Sequence, residues 1–239
     1  MESPDELTDY THRLTSLLRV HANPEQAGPM QAYMRDQFEF LGIRAPERDA
    51  VVRQYLKENG VPKGEALQTV VRELWQQPER EYQYAALTLL EKYRKDAEPS
   101  HIGLLEKLVS SKSWWDTVDL LAGRLVGDLF ARYPELIPGY IERWMASDSI
   151  WLNRTAILFQ LHYKARTDTV LLFDLILRLS HSKEFFIQKA IGWALREYSK
   201  TDETLVRQFV ADNTLAPLSV REALKYAERI RNNSVNEQS

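Results

Sequence analysis

Five stretches of this chain lie over one another: YQYAALTLLEKY, WDTVDLLAGRLV, LNRTAILFQLHY, IQKAIGWALREY and SVREALKYAERI. With Ala85, Val118, Ala156, Ala190 and Ala223 as equivalent positions, the spacings are 33, 38, 34 and 33 residues. Each interval holds one antiparallel helix pair, and recurrence at roughly 20–50 residues marks solenoid architectures. A small residue at the shared position lets neighbouring helices approach closely. No pair buries its apolar face alone, so the repeat commits the chain to a stack, and the expected fold is an all-α solenoid.

Composition agrees. Nine glycines in 239 residues are few for an α/β protein, and Leu, Ala, Glu, Arg and Lys are abundant. Helical period starts in residues 5–20, with Leu7, Leu14, Leu17 and Leu18 along one side. HANPEQAGPM breaks it, with Pro24, Gly28 and Pro29 as stop signals; QAYMRDQFEFLG restarts it, and Gly42 is placed to cap it. Pro46 and Gly60 bracket the next helix. Further helices are expected near 64–76, 79–94, 101–110, 114–131, 134–145, 150–164, 168–180, 183–198, 202–211 and 219–231. No run alternates like a strand. A single domain is expected over 1–231, with the polar residues 232–239 as a disordered C-terminal tail.

The chain has no cysteine, which excludes disulfides and Cys-ligated zinc or iron–sulfur sites. His12, His21, His101, His162 and His181 stand singly, with no HExxH and no carboxylate cluster of ligand spacing, so no metal or other cofactor is expected. No stretch reaches the ~18 apolar residues of a membrane span. The acidic start MESPDELTDY is unlike a signal peptide, and a cytoplasmic location is expected. A net charge of −3 argues against a non-specific nucleic-acid coat and leaves room for one basic face.

The most unusual stretch is SKSWWDTVDLLAG, residues 111–123. Trp115 and Asp119 are four apart, so a helix sets an indole beside a carboxylate on one face. Such an aspartate needs solvent or a cationic partner, because a buried unpaired charge is costly. The stretch also reads as a plain helix start, with Ser113 as N-cap, Asp116 at the capping-box position and both tryptophans in the core. Two residues before each repeat position stands a polar or charged side chain: Gln83, Asp116, Arg154, Gln188 and Arg221. Lys164, Lys189, Arg196 and Lys225 lie near them. A solvated face explains any one of these; their recurrence favours a continuous basic groove for an extended partner.

SWWDTVD, WLNRTAILFQ and FFIQKAIGWALREY together resemble the AlkD family of alkylpurine DNA glycosylases. MQAYMRDQFEFLGI, RELWQQPEREYQYAAL and LAPLSVREALKY extend the resemblance over residues 12–228. It implies a right-handed superhelical solenoid of HEAT-like repeats with a concave basic groove. The implied activity is monofunctional N-glycosyl hydrolysis, excising cationic 3- and 7-alkylated purines from duplex DNA in base excision repair. The enzyme would work as a monomer. By motif, Asp119 is the catalytic carboxylate, Trp115 and Trp193 are aromatic walls at the lesion, and Arg154 is the basic partner. Tyr33, Phe185 and Phe186 would help enclose the site. Arg44, Arg48, Arg53, Lys112, Lys164, Lys189, Arg196 and Arg221 are candidate DNA contacts.

The pattern has departures. Arg44 stands where a polar amide is expected, Asp49 where a basic phosphate contact is natural, and His162 in a place suited to lysine. Trp75, Trp144 and Trp151 read as packing residues. The alternative is a non-catalytic HEAT-like module that binds DNA or protein, in which Asp119, Trp115 and Trp193 need not converge. A lone carboxylate suits this chemistry. An alkylated purine is already cationic and leaves as a neutral base, so no general acid is required; one anion beside the sugar does half the work of a glycosidase pair.

Overall fold

The computed structural model describes residues 4–236 of the chain. They are helical almost throughout; among them the only β feature is an isolated bridge between Glu39 and Glu79. The five repeat positions, Ala85, Val118, Ala156, Ala190 and Ala223, are all fully buried, at 0% exposure. Close helix packing at the small residues is therefore met at every repeat. The helices gather into two compact units, residues 1–104 and 105–239.

In the first unit, α1 (Pro4–Val20) buries Leu7, Leu14 and Leu18 and packs on α3 (Ala45–Asn59) and α4 (Gly64–Gln76). The helix α5 (Arg80–Tyr93) packs on both α3 and α4. The region between α1 and α3 departs from the expectation. Helix α2 occupies Pro24–Tyr33, the stretch expected to be a break, while residues 34–42 form turns and extended chain where a helix was expected. Pro24 sits in the first turn behind the Asn23 cap, whose side chain accepts from the Glu25 N–H at 3.1 Å. There the missing N–H of proline has no partner to lose, so Pro24 is a start signal.

The turn that follows is held from outside. The buried Glu81 carboxylate accepts from the N–H groups of Leu41, Gly42 and Ile43 at 2.9, 2.9 and 3.1 Å. Gly42 has φ +86°, and a Cβ there would lie 2.0 Å from the Asn23 carbonyl oxygen, so only glycine fits. Phe38 lies under the Arg80 guanidinium at 3.7 Å.

The unit boundary falls within α6 (Ile102–Val109). The helix expected at 114–131 runs as α7 (Trp115–Leu120), a wide π-turn at Leu121–Val126, and α8 (Gly127–Arg132). Ser113 is not its cap; its hydroxyl donates to the Val109 carbonyl at 2.6 Å, and Trp114 holds the cap position without a side-chain bond. Then come α9 (Ile137–Met145), α10 (Ile150–Leu158), α11 (Thr169–Leu179), α12 (Phe185–Ser199), α13 (Glu203–Asp212) and α14 (Pro217–Asn236). Helix α10 stops earlier than the expected 164, and turns carry the chain to α11. Helix α14 continues to Asn236, so residues 232–236 are helical where a tail was expected; 237–239 lie outside the described residues.

Helix α12 is central to the second unit, packing against α10, α13 and α14. Gly192 makes the α12–α14 contact possible. A Cβ there would stand 2.4 Å from the Glu222 Cβ and 2.9 Å from the Ser219 carbonyl oxygen.

Candidate active site

The site is a cleft of about 290 Å³ lined by Trp115 and Asp119 of α7, Arg154 of α10, Phe185, Phe186, Lys189, Trp193 and Arg196 of α12, and Glu222 of α14. Helical spacing explains the sharing. Trp115 and Asp119 are four apart, as are Phe185 and Lys189, and Lys189 and Trp193, so each helix turns one stripe to the cleft. Eight of the eleven candidates that the sequence places in the second unit line this cleft, and Lys112, Lys164 and Arg221 do not; Glu222 was not foreseen.

Asp119 and Arg154 form the floor. The Arg154 Nε donates to Oδ1 at 2.7 Å and Nη2 to Oδ2 at 3.0 Å, a fork-on-carboxylate pair. The remaining Nη1 donates to the Phe186 carbonyl at 2.5 Å. The side chains are only 18% and 5% exposed, so the pair is held in a poorly solvated place. Burial pushes the Asp119 carboxyl above its ordinary value; the Arg154 hydrogen bonds and charge pull it back, and Asp116 adds to the rise.

An aromatic cluster backs this floor. Trp114 packs on Trp151 and Phe186 with ring centroids 5.7 and 5.1 Å away, and Trp151 lies 5.0 Å from Phe186. Phe186 thus contributes its ring to the cluster and its carbonyl to Arg154. Phe185 is 57% exposed at the mouth. Trp75 and Trp144 are buried packing residues, as expected, and the Trp144 indole N–H donates to Glu106 at 2.7 Å.

Lys189 and Arg196 are not free cations. Both pair with Glu222, at 3.0 and 2.9 Å, and Lys225 joins the same carboxylate. Burial alone would raise the Glu222 carboxyl, but hydrogen bonds from Lys225 and Lys189 and their charges hold it down to about 2. The neighbouring Arg221 is exposed and does not line the cleft. Two other repeat-linked polar residues serve the backbone: Gln83 donates to the Leu74, Trp75 and Gln77 carbonyls, and Gln188 to that of Ser182. At these two positions the polar side chain is a loop-capping device.

None of the remaining candidates is among the residues that line this cleft. Lys164 lines a separate hollow of about 300 Å³ with His162, Glu197, Tyr198 and Lys200. Lys112 holds φ 49° in the turn before α7. In the first unit, Tyr33 is 71% exposed at the end of α2, and Arg53 is exposed on α3. Arg44 donates to the Gln26 side chain at 3.1 and 2.8 Å. Arg48 is engaged by its neighbour Asp49 at 2.8 Å and lies 4.4 Å over the Tyr84 ring.

The family model described as "DNA alkylation repair enzyme" matches residues 14–227. The chain belongs to this family of DNA alkylation repair enzymes. A solved structure described as a predicted DNA alkylation repair enzyme from Enterococcus faecalis is 38% identical, with a TM-score of 0.80, over 86% of this chain and 96% of that one. AlkD2 from Streptococcus mutans shares the fold at 18% identity, with a TM-score of 0.59 over 82% and 98% of the two chains. The smu.31 protein of Streptococcus mutans UA159 does so at 16% identity and a TM-score of 0.60, over 92% and 98%. No curated protein sequence matches the chain significantly. The family implies that this DNA alkylation repair enzyme acts on alkylation damage in DNA. No helix among its described residues is long and apolar enough to cross a membrane.

Proposed function

We propose that this DNA alkylation repair enzyme is a monofunctional glycosylase that hydrolyses the N-glycosidic bond of cationic 3- and 7-alkylated purines in duplex DNA. The observation that carries the reading is the Asp119 carboxylate, fixed on two sides by Arg154 in a cleft walled by Trp115 and Trp193. When the C1′–N bond breaks, the bonding electrons leave with the purine, cancelling its charge, and the sugar becomes an oxocarbenium ion. Ionised Asp119 stabilises that cation and orients the water that attacks it. Each carboxylate oxygen spends one lone pair on Arg154 and keeps another for water. Such preorganised electrostatic help is worth on the order of 10²–10³ in rate. The indole faces favour a cationic base by about 0.5–2 kcal/mol. The protein needs no cofactor in this scheme, and it works as a cytoplasmic monomer.

The experiment is release of free base from a duplex carrying one 7-methylguanine, with EDTA present, by wild type and Asp119→Asn. Release by wild type and its loss in a folded, DNA-binding Asp119→Asn protein is the expected result. Wild-type single-turnover rates in the variant would remove Asp119 from the chemistry. No release by wild type would point to a binding module.

A further inference from the structure

Glu222 is a carboxylate brought to the cleft by close packing. Gly192 allows α14 to press against α12, and the Glu222 side chain ends 5% exposed among three cations. A charge so placed is costly without partners. Its partners answer that cost: Lys189 and Lys225 on Oε1, Arg196 on Oε2. Two of the three line the cleft beside Asp119. Their side chains remain 36% and 28% exposed, so each faces solvent as well as Glu222. An ammonium has three N–H donors and a guanidinium five, and Glu222 uses only part of either set. The cluster keeps a positive excess, and its long, flexible cations are ordered before any ligand arrives, which lowers the entropy lost on binding.

We propose that Glu222 is a positioning residue, holding Lys189 and Arg196 at the cleft so that they grip a backbone phosphate of the duplex beside the sugar that Asp119 faces. The proposal rests on the glycosylase reading for the sugar and on the observed ion pairs for the grip. Glu222 touches no reacting atom; it acts through the two cations.

The test compares the full-length wild type, Glu222→Asp and Glu222→Gln. It reads single-turnover release of 7-methylguanine and affinity for undamaged duplex across a potassium chloride series. Glu222→Asp keeps the charge but withdraws it by one methylene. The excision rate is expected to fall about tenfold, while the slope of log affinity against log salt stays unchanged. Glu222→Gln removes the carboxylate that neutralises part of the cluster, and at low salt the freed positive charge outweighs the lost ordering, so undamaged duplex binds more tightly there. Its slope steepens by about 0.9 for each added phosphate contact, and excision falls again. A merely structural Glu222 would lower the melting temperature and leave the rate per folded molecule and the salt slope alone. That result in both variants overturns the proposal. If Glu222→Gln does not fold, a wild-type rate in Glu222→Asp overturns it by itself. If wild type releases no base, the glycosylase reading fails, and the salt slope of Glu222→Gln still decides the hold on the cations: steeper supports it, unchanged overturns it.

Discussion

Arg154 and Asp119 meet edge to edge across 35 residues of sequence, and the third guanidinium nitrogen is spent on the Phe186 carbonyl. The arginine therefore has a fixed place set by three helices' worth of contacts. Burial still lifts the Asp119 carboxyl above the ordinary range against this pull. In the proposed glycosylase reaction the carboxylate acts ionised, so excision should be lost as pH falls through that raised value. The acid limb of the rate profile should lie above the ordinary aspartate value of 3.8. Arg154→Gln should move the limb higher still. Single-turnover rates against pH check both; a limb at or below the ordinary value would contradict the burial argument.

Trp193 should matter more for charged lesions than for neutral ones. Trp193→Ala would remove the proposed cation–π wall, worth about 0.5–2 kcal/mol, so excision of 7-methylguanine should drop by roughly twofold to thirtyfold. Trp193→Phe should lose less. Parallel kinetics on a neutral modified purine provide the comparison; equal losses on both substrates would make the wall a packing feature.

Glu222 should leave a mark on acid stability. Its carboxyl, near 2 in the folded chain against an ordinary 4.5, contributes stability that is fully present above the ordinary value. That stability is lost as pH falls toward about 2. Urea midpoints measured from about pH 5 to pH 3 should fall more steeply for wild type than for Glu222→Gln. Parallel curves would mean that the three cations do not hold the carboxyl down.

Gly192→Ala should destabilise the protein by about 1–3 kcal/mol, because the new methyl must be overpacked against α14. Its Cβ would stand 2.4 Å from that of Glu222 and 2.9 Å from a backbone oxygen. A urea titration measures the loss, and an unchanged midpoint would show that α14 shifts freely.

Much of this architecture is legible in the chain. Small residues recurring every 33–38 residues demand close helix packing, and all five are fully buried. Asp119, Arg154, Trp115 and Trp193 come together because i,i+4 spacing and the repeat act in the same direction. What was misread has local causes. Proline breaks helices, so Pro24 reads as a stop in the sequence, yet in the first turn it begins one. Arg221 was favoured over Glu222, and on a helix one residue is a rotation of about 100°. Lys189 and Arg196 looked like free cations because their carboxylate lies on another helix, 26 residues beyond Arg196. Gly192 was the available clue: a glycine in mid-helix marks close approach.

The wide turn at Leu121–Val126 falls inside the longest interval of the repeat, the one from Val118 to Ala156. A π-turn carries one residue more than an α-turn. Deleting a residue from it would restore ordinary winding and leave Asp119 and Phe130 in their present directions. The same deletion within α10 would swing Arg154 or its neighbours by about 100°. Immediately after its carboxylate, then, the chain has a place where sequence length and side-chain direction are uncoupled, and an insertion or deletion can be absorbed within one turn.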